Sequence, residues 1–269
     1  MKIIVCVKQV PEITDVKVNP ETGTLIREGV ASILNPFCEY ALDFAVQLKK
    51  KHAGIRITAI SMGPSQAKTA LMRCLELGAD EAFLASDFKF AGADTWATAR
   101  TLAATIRAVA SDYDLILVGK QAIDGDTAQV GPELAEILSI PQVMYGVQIR
   151  LAENLKRVQV KRETEHGYEV VQMRLPGIVS AGKGSLIRRM PSVKDILDAR
   201  RKKLHRVEAS ALDLPDEELG LQGSPTQVVK VFAPEAKTGG KMIDGADADA
   251  AAEEILAFLS GKNIFSAHP

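Results

Sequence analysis

The amino-acid sequence predicts an α/β fold, a mostly parallel sheet covered by helices on both faces. Short apolar runs alternate with segments of helical periodicity through the first half of the chain, a pattern typical of strands joined by crossover helices. The runs are apolar throughout, as expected for strands buried on both faces. Beyond Gln142 polar and apolar residues alternate instead, so we expect an antiparallel extension of the parallel core.

Four strand–helix units account for the first half of the chain. The strands are predicted at residues 3–7, 55–61, 81–85 and 114–118. Asn35, followed by Pro36, has the character of a helix N-cap, and so does Asp94 before Thr95. The first helix runs to residue 51 and the third to about residue 110, while Gly78 ends the helix between them. A polar segment at residues 11–28 is predicted as a hairpin or an excursion.

The second half supplies the extension and an arm. Antiparallel strands are predicted at residues 143–150, 156–163 and 168–174, followed by one more strand at 175–181 and a short helix at 192–199. After Lys203 the apolar segments become isolated, and only residues 246–259 have helical character. We therefore predict an α/β nucleotide-binding domain at residues 1–203. Residues 204–269 are predicted as an extended C-terminal arm that packs on a partner subunit.

A ligand crevice is predicted where the parallel strands end, because ligands of such sheets bind beyond the carboxyl ends. The contributing segments are residues 6–9, 61–65, 85–94 and 119–126, and Asn35 is a candidate to join them. Gly119 and Gly125 punctuate the last segment, whose amides at residues 122–127 face the start of a helix. That arrangement suits a phosphate or pyrophosphate. The alternative is that both glycines only turn the chain.

The helix after this loop has two predicted starts. Asp126 and Gln129 resemble a capping box, which places the start near Thr127. Pro132 is disfavoured inside a helix, which places the start at Pro132 or predicts a bend there. The loop itself is neither a P-loop nor a G-x-G-x-x-G fingerprint.

Composition argues against several classes of function. A net charge of −1 gives no electrostatic argument for nucleic acid, and no apolar run approaches the roughly 20 residues of a membrane span. Three widely spaced cysteines indicate reduced thiols in a cytoplasmic protein, and four isolated histidines argue against a metal. No nucleophile, base and acid stand together. The crevice therefore favours binding a cofactor over catalysis by side chains.

The chain resembles the β subunit of electron transfer flavoproteins. The motifs that carry the resemblance are VCVKQVPE at residues 5–12, NPFCEYAL at 35–42, SMGPSQA at 61–67, GKQAIDGDTAQVGP at 119–132, and VKRETEHGYEVVQMRLPGIVSA at 160–181. They occur in the family's order, from the first residue to about Lys203. The resemblance implies an adenine nucleotide α-hydrolase-like fold and a heterodimer with an FAD-carrying α subunit. It also implies electron exchange with a flavin-dependent dehydrogenase.

The resemblance also implies a cofactor site. Its residues are Cys6, Asn35, Pro36, Phe37, Cys38, Met62, Asp94, Thr95, Ala97, Thr98, Gly119, Lys120, Gln121, Ala122, Ile123, Asp124, Gly125, Asp126, Thr127, Ala128, Gln129 and Val130. Phe37, Cys38 and Met62 have the alternative of packing in the core. The loop AIDGDTAQVGP is similar to the branch whose β subunit carries a complete FAD and splits the electron pair of NADH. In the AMP-holding branch a bulkier, more acidic residue stands where Gly125 is.

Three functions follow from these observations. The first is a β subunit that binds FAD, with NADH or a dehydrogenase as the electron donor. The second is an electron carrier without bifurcation, whose β subunit holds a structural AMP. The third belongs to another class, a stand-alone ATP- or AMP-binding α/β protein.

A partner-docking loop is the last predicted site. The family's loop usually contains a Pro-Arg-Tyr run, whereas this chain reads LIRRMPSV at residues 186–193. Arg189 matches the family's arginine, but Arg188 and Met190 replace the proline and the tyrosine. Leu186 and Ile187 are predicted to anchor a dehydrogenase, with Arg188 and Arg189 aiding the encounter. The alternative is a loop folded onto its own domain.

Overall fold

A computed structural model describes residues 1–12, 32–184, 190–229, 242–243 and 245–262. The chain divides into two compact units, Met1–Val231 and Phe232–Pro269. Most of the predicted excursion at residues 11–28 lies outside the described residues. The four predicted docking residues, 186–189, lie outside them entirely.

The larger unit is built on one sheet. Its parallel strands are β1 (Lys2–Cys6), β4 (Arg56–Met62), β5 (Glu81–Ala85), β6 (Leu115–Gly119), β10 (Gly177–Ala181) and β11 (Leu204–Val207). The strands β7 (Gln142–Leu151), β8 (Arg157–Thr164) and β9 (Gly167–Arg174) extend it. The order is β11-β5-β4-β1-β6-β10-β7-β8-β9, parallel from β11 to β7 and antiparallel from β7 to β9. The predicted fold class is confirmed.

Helices cover both faces of this sheet. They are α1 (Pro36–Lys51), α2 (Lys68–Leu77), α3 (Thr95–Ala110), α4 (Val130–Leu138) and α5 (Val193–Ala199). Along β1, Ile3 and Val5 belong to the core under α1 and α2, whereas Ile4 belongs to the core under α3 and α4, because successive side chains of a strand point to opposite faces. A separate antiparallel pair, β2 (Gln9–Pro11) and β3 (Ser32–Leu34), connects β1 with α1.

The larger unit continues beyond the predicted boundary at Lys203. β11 pairs in parallel with β5, Leu204 lying opposite Ala82, and the side chains of Leu212 and Leu219 are buried in the same unit. These leucines are isolated among polar and turn residues, so no periodic pattern indicated their burial. The compact unit instead ends near Val231.

The smaller unit contains α6 (Ala248–Gly261), capped by Asp247, whose Oδ1 accepts hydrogen bonds from the amides of Asp249 and Ala250. Its large apolar side chains, Ile255, Leu256 and Phe258, are exposed. Packing of this helix on a partner subunit stays a prediction. Among the described residues, no helix is both long enough and apolar enough for a membrane span.

We expect Lys202→Met to destabilise the protein. The Lys202 Nζ donates to the carbonyl oxygens of Leu75 at 2.9 Å and Ala79 at 2.6 Å, at the C-terminal end of α2. Losing hydrogen bonds from a charged group to buried carbonyls should lower the free energy of unfolding by about 1–3 kcal/mol. Urea denaturation measures this, with Lys203→Met as the matched control because the Lys203 side chain is exposed. Equal stability of the two variants would contradict the expectation.

Candidate functional site

The site lies at the point where the strand order reverses. From β1 the chain runs through α1 to β4 and β5 on one side, then returns through α3 to β6 on the other side of β1. In open α/β sheets the crevice at such a switch point, beyond the carboxyl ends of the strands, is the usual ligand site. The parallel register places all four predicted crevice segments at this edge.

Asn35 holds the loop that follows β6. Its Nδ2 donates to the Gln121 carbonyl oxygen at 2.8 Å, and its Oδ1 accepts from the Ile123 amide at 3.2 Å. Asn35 occupies the N-cap position of α1, but its side chain does not cap the helix. The side chain is 1% exposed. The residue predicted as a cap therefore fastens α1 to the loop across the crevice.

Gly119 allows the start of α1 to lie close to the end of β6, because a Cβ at Gly119 would lie 2.8 Å from the Phe37 carbonyl carbon.

The carboxylates of the loop after β6 have partners within the protein. The Asp124 Oδ1 lies 2.7 Å from the Lys8 Nζ, and the Asp126 Oδ1 accepts from the Gln121 Nε2 at 2.7 Å. Both carboxylates thus stabilise the conformation of the loop, which argues against Asp124 and Asp126 as a catalytic acid–base pair.

The loop ends in an anion-binding geometry at the start of α4. Asp126 and Ala128 adopt left-handed φ angles of 52° and 56°, each costing about 1–3 kcal/mol for residues other than glycine. Gln129 then adopts a right-handed helical conformation as the N-cap. A left-handed residue followed by a right-handed one turns successive amides toward one point, forming a concave nest for an anion.

Part of the predicted run of amides, residues 122–127, is already engaged within the protein. The Ile123 amide donates to Asn35, and the Gly125 and Asp126 amides donate to the Ala122 carbonyl oxygen at 3.3 and 2.8 Å. Within the described parts of the chain, the N–H groups of residues 127–131 have no acceptor. The free amides at the start of α4, residues 127–131, thus meet the predicted run 122–127 at Thr127.

The predicted capping box of Asp126 and Gln129 does not form, because Asp126 bonds Gln121 instead. α4 begins at Val130, between the two predicted starts. Pro132 lies in its first turn, where a missing N–H costs no helical hydrogen bond.

Asp94 caps α3 as predicted. Its Oδ1 accepts from the Ala97 amide at 3.0 Å, while its Oδ2 accepts from the Thr226 amide at 2.9 Å and the Thr226 hydroxyl at 2.8 Å. Burial alone raises the pKa of Asp94, but the hydrogen bonds from Ala97, Thr226 and Trp96 outweigh it and lower the pKa. Both carboxylate oxygens are thus engaged within the protein. Ala97 is fully buried and contributes packing.

Glu133 is a residue that the sequence analysis missed. Its Oε1 accepts from the Thr95 hydroxyl at 2.9 Å, which joins the N-termini of α3 and α4. Its Oε2 is buried and has no hydrogen-bond partner among the described residues. An acidic residue in a first helical turn is ordinary in sequence, so nothing marked it. A buried unpaired oxygen is costly, so this position fits a ligand that offers a hydrogen-bond donor.

The two crevice thiols are structural. Burial, with a smaller contribution from the nearby Cys38, raises the pKa of Cys6 to about 12. Burial also raises the pKa of Cys38, whose sulfur accepts a hydrogen bond from Asn35 Nδ2 at 3.2 Å. Thiols with raised pKa values are poor nucleophiles. Cys38 lies in the core, while Phe37 and Met62 are only partly buried.

The assembled site offers backbone hydrogen-bond donors but few groups suited to acid–base catalysis. α1, the loop after β6 and the N-terminus of α4 lie together through direct contacts, and α3 joins them through Thr95 and Glu133. Within the described ranges, no group of His, Cys, Asp and Glu is arranged to hold a metal ion. The arrangement suits an anionic nucleotide whose phosphate meets backbone amides.

Gly119→Ala and Gly125→Ala should have opposite effects. A Cβ at Gly119 would collide with the backbone of Phe37 and Cys38, whereas a Cβ at Gly125 meets nothing within 4 Å. We expect Gly119→Ala to lower the free energy of unfolding by about 1–3 kcal/mol. Gly125→Ala should change it by less than about 1 kcal/mol, in the stabilising direction. Chemical denaturation of both variants checks this, and the reverse order would refute the packing at Gly119.

Glu133→Gln should change how stability depends on pH. Burial raises the pKa of Glu133 more than the Thr95 hydrogen bond lowers it, and the charge of Asp94 raises it further. The folded protein then binds this proton more tightly than the unfolded chain, so the stability contributed by the protonated form is lost as pH rises through the folded pKa. The variant lacks this loss. Its stability relative to wild type should increase from about pH 4 to pH 7, by at most about 1 kcal/mol because the side chain is partly exposed.

Urea denaturation at several pH values measures this difference. Glu136→Gln, on the exposed side of the same helix, controls for the loss of a charge from α4. A difference between Glu133→Gln and wild type that stays constant with pH would contradict the expectation.

The sequence matches the electron transfer flavoprotein domain over residues 22–212. It is 45% identical over 264 residues to the caffeyl-CoA reductase-Etf complex subunit CarD of Acetobacterium woodii, covering 98% of this chain and 100% of that protein. It is 47% identical over 253 residues to the electron transfer flavoprotein subunit beta of Clostridium acetobutylicum, covering 94% and 95%.

Protein FixA of Azotobacter vinelandii is 40% identical over 274 residues, covering 100% of this chain and 96% of that protein. Similarity of this extent, over nearly the whole of each chain, goes well beyond one shared loop. The chain therefore belongs to the electron transfer flavoprotein family, as a β subunit of this group of electron carriers.

Proposed function

We propose that this chain is the β subunit of a heterodimeric electron transfer flavoprotein and binds FAD in the crevice. It passes electrons between NADH or a flavin-dependent dehydrogenase and the FAD of the α subunit, by flavin-based electron bifurcation. The observation that carries the proposal is the loop after β6. It presents the free amides of residues 127–131, beside a glycine with open space where a side chain would stand.

The chain's own groups divide the work of binding. The amides of residues 127–131 and the N-terminus of α4 hold a phosphate. Gly125 leaves room for a second phosphate, since nothing lies within 4 Å of a Cβ built there. Thr98, in the first turn of α3, and the unpaired Oε2 of Glu133 supply polar contacts beyond the phosphates. When bound, FAD would accept an electron pair and release single electrons.

The alternative is a non-bifurcating carrier with structural AMP in the β subunit. One observation favours it: the Thr95 hydroxyl, predicted to meet the flavin, already donates to Glu133 at 2.9 Å. AMP would use the same amides for its single phosphate. A stand-alone nucleotide hydrolase has weaker support, because Asp124 and Asp126 are committed to Lys8 and Gln121.

The proposed partner proteins are inferred from the exposed apolar surface of α6 and from the family to which the chain belongs. α6 exposes Ile255, Leu256 and Phe258, and a helix with such side chains needs a covering surface. We propose that this arm rests on the α subunit. Residues 186–189, outside the described residues, are proposed to dock the dehydrogenase.

The test is the nucleotide content of the co-purified αβ protein, measured by mass spectrometry. We expect two flavins per heterodimer in the wild type and one in Gly125→Asp. A carboxylate at this position would repel a pyrophosphate in a partly desolvated site. The open space at Gly125 means that the variant should still fold.

Gly125→Ala is the matched control and should keep two flavins, because it adds bulk without charge. NADH-driven bifurcation should be lost in Gly125→Asp, while the α-subunit flavin remains. One flavin and one AMP in the wild type would overturn FAD binding and leave the simple carrier. No nucleotide in the β subunit, with ATP turnover by the isolated chain, would favour the third class.

A further inference from the structure

A C-terminal segment of the larger unit, residues 216–226, lies against the loop that enters α3. The Leu221 amide donates to the Ala91 carbonyl oxygen at 3.0 Å. Asp216 pairs with Lys89 at 2.6 Å, and Glu218 pairs with Arg100 of α3. The contact is close enough that a side chain at Gly220 would collide with the Lys89 carbonyl. Residues distant in sequence thus brace the start of one helix.

Two residues of this segment reach the N-cap itself. The Ser224 Oγ accepts from the Asp94 amide at 2.8 Å and donates to the Gly220 carbonyl oxygen at 2.6 Å. The amide and hydroxyl of Thr226 both donate to the Asp94 Oδ2, at 2.9 and 2.8 Å. The other oxygen, Oδ1, caps α3 through the Ala97 amide. The position of Asp94 is therefore fixed by residues about 130 positions away.

The bracing continues from α3 to α4. Thr95 follows Asp94 directly, and its hydroxyl donates to Glu133 in the first turn of α4. The free amides of residues 127–131 lie in and just before that same turn. An unbroken series of hydrogen bonds and covalent links thus runs from Thr226, through Asp94, Thr95 and Glu133, to the phosphate donors.

We propose that Ser224 and Thr226 are positioning residues of the nucleotide site, acting through Asp94 on the N-termini of α3 and α4. The inference rests on the proposed function, since it requires a nucleotide in this crevice. In this proposal both residues act through their hydrogen bonds to Asp94. Both fix the angle at which α3 meets α4, and small displacements of preorganised donors cost affinity. A purely structural role would lower stability without changing nucleotide affinity.

The test is the dissociation constant of the full-length αβ protein for FAD and, separately, for AMP, by equilibrium dialysis. Thr226→Val removes the hydroxyl donor and keeps the shape and the amide bond to Asp94. We expect nucleotide affinity to fall about tenfold, the effect of one charge-assisted hydrogen bond. Thr226→Ser restores the hydroxyl and should bind like the wild type. If Thr226→Val fails to fold, Ser224→Ala removes the acceptor of the Asp94 amide and should show the same loss.

Asp216→Asn is the control for general loosening, because it weakens an ion pair of the same segment without touching Asp94. It should leave the dissociation constant within about twofold of wild type. Equal losses in Asp216→Asn and Thr226→Val, or no loss in Thr226→Val, would overturn the inference while leaving the proposed function intact. A wild-type protein that binds neither FAD nor AMP in its β subunit would overturn both.

Discussion

The two-point hydrogen bond of the buried Asn35 amide is the contact on which the rest of the site depends. One planar group both donates to the Gln121 carbonyl and accepts from the Ile123 amide. The Asn35 side chain is 1% exposed and both of its hydrogen bonds are partly buried, so losing the amide would leave partly buried groups unpaired. Aspartate cannot replace it, since a carboxylate lacks the donor. This contact sets where the loop leaves β6, and hence where the strained turn before α4 can form.

Signals confined to neighbouring residues were readable from sequence. Uniformly apolar strands, alternating polar strands and the Asp94 cap depend on residues within a few positions of each other, so the fold class and α3 were predicted correctly. The partners of Asn35 lie more than 80 positions away, and nothing local distinguishes a cap from a cross-link. The strand β11 was not predicted for the same reason, because it is held in the sheet by pairing with the distant strand β5. The left-handed φ angle at Ala128 likewise has no signature in residue type, although aspartate, as at Asp126, is enriched in that conformation.

The free hydrogen-bond donors at the start of α4 are backbone amides rather than charged side chains. Lys8 is paired with Asp124, and the Lys120 Nζ lies over the Tyr145 ring, 5.2 Å from its centroid. Backbone donors remain, directed by a left-handed residue and the dipole of α4. Turn conformation decides which amides of this loop remain unpaired, and residue type alone does not specify it. Backbone donors leave no trace in residue type. The composition of the crevice therefore predicted a cofactor without indicating which one.

In the proposed function, the contact between Thr95 and Glu133 bears on the choice between FAD and AMP together with the open space at Gly125. Both ligands share the adenosine and one phosphate, so the amides of residues 127–131 cannot distinguish them. The N-termini of α3 and α4 can, because the Thr95 hydroxyl and the Glu133 carboxylate already bond each other there. AMP can bind with that bond intact. A ligand that extends further must share or replace it, and the unpaired Oε2 of Glu133 offers the compensating hydrogen bond. A buried oxygen without a partner has no folding benefit, so its presence favours the longer ligand.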